Sequence, residues 1–215
     1  LKTISVPIFI CFFSYLVGSI PFSYLVARVA AGVDLTKVGT GNIGAMNVRR
    51  ATGSWLWFLV AMVLDALKGF LPVLLAAYLA FVFKVDQILL KGLALNFAVL
   101  GHNFSLVAYF LTGKFASGRG LATGGGGLLA YNYIYLFFAL VIGLGFIFVT
   151  RYLLVGQLMA ALLTPLIVYF LNPSDFGPIL AVCILVLIRH LERVPSLLTG
   201  QEPKFYIEEK KKIKG

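Results

Sequence analysis

Four long stretches of this chain carry no Asp, Glu, Lys or Arg: residues 3–27, 92–113, 120–150 and 152–174. A helix needs roughly 20 residues to cross a hydrocarbon core, and each stretch is long enough. Charged residues make up only 12% of the chain, and hydrophobic residues 60%. An ordinary soluble domain carries about a quarter charged residues, so the deficit is too large for a soluble core. The expected fold is all-α, a polytopic transmembrane helical bundle. The first apolar run is too long for the apolar region of a signal peptide and lacks a sizeable basic flank, so a retained first span is expected.

About seven spans are expected, near residues 4–27, 54–83, 88–111, 120–131, 134–150, 152–171 and 176–192. Tyr131-Asn132-Tyr133 marks the turn that divides the longest uncharged stretch, and Asn172-Pro173-Ser174-Asp175 marks another. Six spans result instead if 120–131 is re-entrant. The last span crosses only if Arg189 and His190 reach the interface by snorkelling. Net charge is +10, but the bilayer forces those charges into loops and tails. Their placement therefore matters more than their sum, and nucleic acid is not implied. Arg28, Lys37, Arg49, Arg50, Lys114, Arg119, Arg151, Arg189, Arg193, Lys204 and the Lys-rich end fall on one side. Lys2, Lys84 and Lys91 fall on the other. The positive-inside rule then places the N-terminus outside and the C-terminus in the cytoplasm. Residues 1–215 read as a single integral membrane domain with a short basic cytoplasmic tail from about 201, its end near anionic headgroups. Cys11 and Cys183 lie inside apolar runs without metal-ligand spacing and read as inert thiols.

Three polar segments share the basic side. Gly39-Thr40-Gly41-Asn42-Ile43-Gly44 has the glycines to bend a backbone so that its N–H groups converge on an anion. Arg49 or Arg50 supplies the charge. A flexible loop with basic topology markers is the competing reading. Ser117-Gly118-Arg119-Gly120 immediately precedes a helix, where free N–H groups and the dipole favour phosphate. A capping turn is the alternative there. Gly124-Gly125-Gly126-Gly127 continues into the span, as expected for close helix packing in a membrane. The third segment holds Arg189, His190 and Arg193, the last two sharing a helix face. Asp65 and Lys68 lie three apart inside the second span and read as a structural ion pair. His102 and His190 have no metal-ligand neighbours, so no metal is expected. The residues alone describe a basic, Gly-rich site at the cytoplasmic surface, bordered by lipid; phosphate recognition fits it, and the reaction does not follow from the residues.

In order, Gly18-Ser19-Ile20-Pro21, Gly39 to Asn47, Asp65 with Lys68-Gly69, Gly101-His102, Gly118 to Thr123, Arg151-Tyr152, Arg189-His190 and Leu197 to Glu202 span nearly the whole chain. In that order and spacing they resemble the bacterial acyl-phosphate-dependent glycerol-3-phosphate acyltransferases, the PlsY type. The resemblance implies a seven-span inner-membrane enzyme of phospholipid biosynthesis with its site facing the cytoplasm. It would take acyl phosphate and glycerol 3-phosphate as partners, with membrane lipids around it, no cofactor and no obligate protein partner. It implies catalytic roles for Arg119 and His190. Phosphate or substrate binding falls to Thr40, Gly41, Asn42, Arg50, Lys114, Gly118, Gly120, Thr123 and Arg193. Asp65, Lys68, His102, Gln157 and Glu202 are implied as supports. The chain departs from the family's usual pattern at Thr40 (Ser is usual), Arg119 (Lys), Arg193 (Asn), and at Leu154 and Gln157, where Ser is usual nearby. Other glycerolipid acyltransferases place Asp five positions after His, where this chain has Val107 and Pro195, so that class is excluded. A non-enzymatic membrane protein binding or transporting a phosphorylated solute or lipid is the second reading. A transporter favours repeats and midplane helix breaks, and this sequence shows no convincing repeat.

Overall fold

The computed structural model describes residues 2–115 and 117–205. The Lys-rich end expected near headgroups (Lys210, Lys211, Lys212, Lys214) and position 116 lie outside the described residues. Eleven α-helices and two short 3-10 turns make up the described structure, and no strand is present among those residues. Five helical segments are long and apolar enough to cross a membrane: Ile4–Ala31, Trp55–Phe83, Tyr133–Thr150, Leu153–Leu171 and Pro173–Leu191.

The first of these is interrupted. Helix α1 (Lys2–Gly18) stops before Ser19-Ile20-Pro21, and α2 (Phe22–Ala31) continues beyond. Proline cannot supply an N–H to a helix, so carbonyls upstream of Pro21 need other donors. They find them across the bundle. Lys68 Nζ, on α4 (Trp55–Phe83), donates to Ile20 O at 2.7 Å. Ser105 Oγ donates to Ser19 O at 2.5 Å. A second break answers the first. The span expected over 88–111 is two helices, α5 (Gln87–Asn103) and α6 (Leu106–Thr112), separated at Phe104-Ser105. Tyr15 Oη donates to Phe104 O at 2.8 Å, and Ser105 Oγ also caps α6 by accepting from Ala108 N. The second break thus serves the first through Ser105, and side chains of α1 and α4 serve the remaining carbonyls, as irregular backbone in apolar surroundings requires.

Glycines let the central helices meet backbone to backbone. A Cβ on Gly18 would stand 2.1 Å from Ala98 O, and one on Gly101 2.2 Å from Tyr15 O, so α1 and α5 touch there. Helix α7 (Leu121–Tyr131) crosses α4 in the same way. A Cβ on Gly69 would stand 1.9 Å from Thr123 O, and one on Gly126 2.0 Å from Ala66 O. Within the glycine run, Gly126 is required by the backbone of α4 and Gly127 faces the end of the Leu95 side chain, whereas Gly124 and Gly125 have ordinary room.

Helix α7 has 11 residues, a rise of about 16 Å, roughly half a hydrocarbon core. Its ends are nevertheless held at two different levels. At its start, the Gly120 turn lies against Asn103. At its end, Lys91 donates to Tyr131 O, and Tyr131 Oη donates to Asp175. The Tyr131-Asn132-Tyr133 turn falls where expected, with Asn132 Oδ1 accepting from Ile134 N. Helices α8 (Tyr133–Thr150) and α9 (Leu153–Leu171) pack against each other through Gly143 and Gly156, and α10 (Phe176–Leu191) packs against α9 and α5. Short α3 (Ala45–Thr52) and α11 (Val194–Leu198) flank the polar segments.

Candidate active site

The three polar segments converge at one end of the bundle. The first, between α2 and α4, is stitched by Asn47 of α3. Its Nδ2 lies 3.1 Å from Leu35 O, 3.0 Å from Val38 O and 3.1 Å from Asn42 O. Gly39 and Gly41 adopt left-handed φ of 56° and 67°, which glycine tolerates best. A Cβ at Gly39 would also strike Asn47 Oδ1. This fold brings Thr40 to the surface.

The second segment, between α6 and α7, lies over the end of α5. Ser117 N donates to Asn103 O and Gly118 N to His102 O, at 3.0 and 3.1 Å. A Cβ on Gly118 would overlap the His102 ring at 1.8 Å from Nε2, so glycine is required. Gly120 turns the chain at φ 76° against Asn103. Ile43 N donates to Ser117 O, and Lys114 Nζ reaches Thr36 O at 3.4 Å, joining the first two segments.

The third segment follows α10. Arg189 and His190, the residues that end the last apolar span, are buried against protein, only 6% and 1% exposed. Arg189 turns inward because it has partners there. Its Nε donates to Gly118 O at 3.2 Å, it pairs with Glu192, and its guanidinium faces the Phe104 ring. Arg189 therefore ties α10 to the peptide that precedes Arg119. A charge near the end of an apolar span was the available sequence signal, but its backbone partner lies 71 positions away. His190 shares its Nδ1 with Val186 O at 2.7 Å. Arg193 pairs with buried Glu202, whose Oε2 accepts from Ser196 Oγ at 2.6 Å.

A cavity of about 350 Å³ lies where the segments meet, lined by Thr40, Arg119, Glu192, Arg193, Ser196 and the stretch Gln201 to Pro203. Arg119 Nε is buried there without a hydrogen-bond partner. Burial, then Arg189 and Arg50, lower the pKa of Arg119, with Glu192 opposing. Arg193 is pushed down to about 10 by burial, then by Arg119 and Arg50. Guanidiniums whose pKa is lowered by neighbouring guanidiniums beside a cavity favour an anion there. Of the two arginines that end α3, Arg49 stacks on Trp55 at 3.7 Å, whereas Arg50 is the one whose field reaches Arg119 and Arg193.

Other expected site residues take supporting places. Thr123, expected on phosphate, is 0% exposed, and its Oγ1 lies 3.1 Å from His102 Nδ1. Below His102, Asp65 pairs with Lys68 at 3.0 Å and accepts from Ser23 Oγ at 2.6 Å. This buried network carries the α1–α2 break and the floor beneath Gly118. Asn42 is half-buried beside Gly44, and Gln157 is half-buried on α9 with its Oε1 unpartnered. Neither lines the cavity. Glu192 and Ser196, absent from the expected set, do line it.

The fold and site define a class: a helical membrane protein with an arginine-lined cavity at one face. A family profile described as Glycerol-3-phosphate acyltransferase matches residues 8–200. The chain is 36% identical over 191 residues to the glycerol-3-phosphate acyltransferase of Thermotoga petrophila, covering 88% of this chain and 92% of that one. It is 37% identical over 194 residues to that of Geobacter sulfurreducens, covering 89% and 94%. Its fold superposes on the crystal structure of PlsY (YgiH), an integral membrane glycerol 3-phosphate acyltransferase, in the glycerol 3-phosphate form. The TM-score is 0.81 at 32% identity, with 93% of this chain and 96% of that one covered. The lysophosphatidic acid form gives 0.80 at 31%. The chain belongs to the glycerol-3-phosphate acyltransferase family, and it is a membrane-embedded enzyme of that family.

Proposed function

We propose that this acyltransferase moves a fatty acyl group from acyl phosphate to glycerol 3-phosphate, giving lysophosphatidic acid and inorganic phosphate for phospholipid synthesis. The observation that carries this reading is the pairing of Arg119 and Arg193, from different elements, around one cavity beside Thr40. Both substrates bear phosphate, and one face of the bundle offers cationic groups for both. The acceptor hydroxyl oxygen forms a bond to the acyl carbon. The bond from that carbon to the bridging phosphate oxygen breaks, and phosphate leaves with the electron pair. The hydroxyl proton ends on phosphate or in solvent. A mixed anhydride already has a good leaving group, so positioning and charge stabilisation matter more than strong acid catalysis.

In this reading Arg119 neutralises the departing phosphate and the developing oxyanion. Thr40, Asn42, Arg50 and Arg193 surround the acceptor phosphate, and His190 contacts the acceptor. Gly41, Gly118 and Gly120 shape the backbone. Lys114 joins the two loops, and Asp65, Lys68, His102, Thr123, Gln157 and Glu202 support the site. The acyl chain lies along the spans, where burial contributes roughly 0.8 kcal/mol per CH₂. Seven passes, with the site on the cytoplasmic side of a bacterial inner membrane, agree with the basic residues gathered at the site face and with α7 linking the two ends of the bundle. The test is phosphate release from palmitoyl phosphate by the purified protein. Release that requires glycerol 3-phosphate, with equal lysophosphatidic acid, supports the reading; acceptor-independent hydrolysis removes the acceptor site.

A further inference from the structure

Arg193 is fixed more firmly than a surface arginine needs. Its guanidinium meets Glu202, a carboxylate only 4% exposed. Ser196 Oγ bonds both Glu202 Oε2 at 2.6 Å and Arg193 O at 2.7 Å. Glu202 N donates to Ser196 O at 2.9 Å, closing the turn on itself. This clasp holds Arg193 in the cavity wall. A guanidinium carries five N–H donors in a fixed planar fork, and the bond to Glu202 uses one terminal nitrogen. The cavity it lines is also lined by Arg119, whose Nε is buried and unpartnered. Two forks from separate elements suit a group that presents several charged oxygens to both.

The charges facing Arg193 come from every wall. Arg119 precedes α7, Arg50 ends α3, and His190, Arg189 and Glu192 belong to the end of α10. Glu192 is matched by Arg189 and Arg193 by Glu202, which leaves Arg119 to keep the cavity cationic. The lining includes exposed Thr40, Gln201 and Pro203, so the cavity is open to an occupant arriving from water.

We infer that Arg193, held by the Glu202–Ser196 clasp, determines specificity for the charge state of the acceptor, selecting a terminal phosphate monoester dianion over a monoanion or phosphodiester. This rests on the acceptor reading above and deepens it. A terminal phosphate offers three oxygens to the two forks. A methyl diester offers two and one charge fewer.

The experiment compares glycerol 3-phosphate with its phosphate methyl ester as acceptors, using palmitoyl phosphate as donor, in the wild-type protein and in Arg193→Gln. Wild type should favour the monoester by about tenfold or more in kcat/KM, as expected when a charged partner is lost. Arg193→Gln should shrink that preference to within about threefold, mainly through KM for glycerol 3-phosphate. The second pKa of a phosphate monoester lies near about 6. The KM of wild type for glycerol 3-phosphate should therefore rise as pH falls through 6, whereas the diester, which has no such titration, reports the protein's own groups. Equal use of both acceptors by wild type overturns the inference alone, even if the variant does not fold. An unchanged preference in folded Arg193→Gln also overturns it. No transfer to either acceptor overturns the acceptor reading and this inference with it.

Discussion

Two polar clusters, one at each end of the bundle, show how the same kinds of residue can serve different ends. At the end opposite the cavity, Asp175 accepts from Tyr131 Oη at 2.8 Å, Tyr135 Oη at 2.6 Å and Asn172 Nδ2 at 2.8 Å. Lys91 donates to Tyr131 O and lies over the Tyr131 ring at 4.4 Å. The carboxylate is 6% exposed and its acceptor capacity is well used. At the cavity end, Arg119 and Arg193 line the wall with Glu192 and Glu202; the two carboxylates are taken by Arg189 and Arg193, and a buried Arg119 nitrogen has no partner. The first cluster is closed, and binds the α7–α8 turn to the α9–α10 turn. The second is open, and the unmet Arg119 Nε–H is a donor that a phosphate oxygen would satisfy. Satisfaction, more than polarity, separates a buried structural network from a binding site.

The comparison breaks first at Arg119. Arg119→Ala should lower kcat/KM for acyl transfer about 10²- to 10³-fold, the loss typical of a group that stabilises developing charge, while the protein remains folded by thermal unfolding in detergent. Wild-type turnover in that variant removes Arg119 from the chemistry. Asp175→Ala should show the opposite pattern. It leaves two tyrosine hydroxyls and an amide without their acceptor, at roughly 3 kcal/mol of stability, yet kcat/KM of the folded fraction should stay within about twofold. A large loss of turnover in folded Asp175→Ala would show that the two ends are coupled. Arg50→Ala should raise KM for glycerol 3-phosphate about tenfold, the scale of one charge-assisted contact, with kcat less affected; an unchanged acceptor dependence counts against its phosphate role. Tyr135→Phe should give the smallest effect, about 1 kcal/mol of stability, because Tyr131 and Asn172 still serve Asp175. Denaturation that matches wild type would mean the hydroxyl bond contributes nothing net.

Much of the bundle was legible in the sequence, since spans declare themselves through long uncharged runs. The Tyr131-Asn132-Tyr133 turn and the boundaries of α4, α8 and α9 follow from composition and turn residues alone. The Phe104-Ser105 break does not, because no Gly or Pro marks it. It exists because Ser105 can satisfy both α6 and the carbonyl left free by the Ser19-Ile20-Pro21 break. The ion pair of Asp65 and Lys68 was expected, but its use of Ile20 O was not, as that partner lies 48 positions away. At the cavity, Thr40, Arg119 and Arg193 could be picked out by residue type and loop position. Glu192 and Ser196 could not, since neither carries a motif and both act by closing on groups that the fold brings near. The partner of Arg189 was hidden for a related reason: its charge at the end of an apolar run marks it, but the carbonyl of Gly118 that it meets lies 71 positions away.

The most direct test of the central claim is one stoichiometric measurement on purified protein in lipid mesophase. Palmitoyl phosphate is supplied with and without glycerol 3-phosphate, and phosphate and lysophosphatidic acid are followed together. The account predicts phosphate release only with the acceptor present, with one lysophosphatidic acid formed per phosphate released. Folded protein that releases no phosphate, or releases it equally without acceptor, would contradict it.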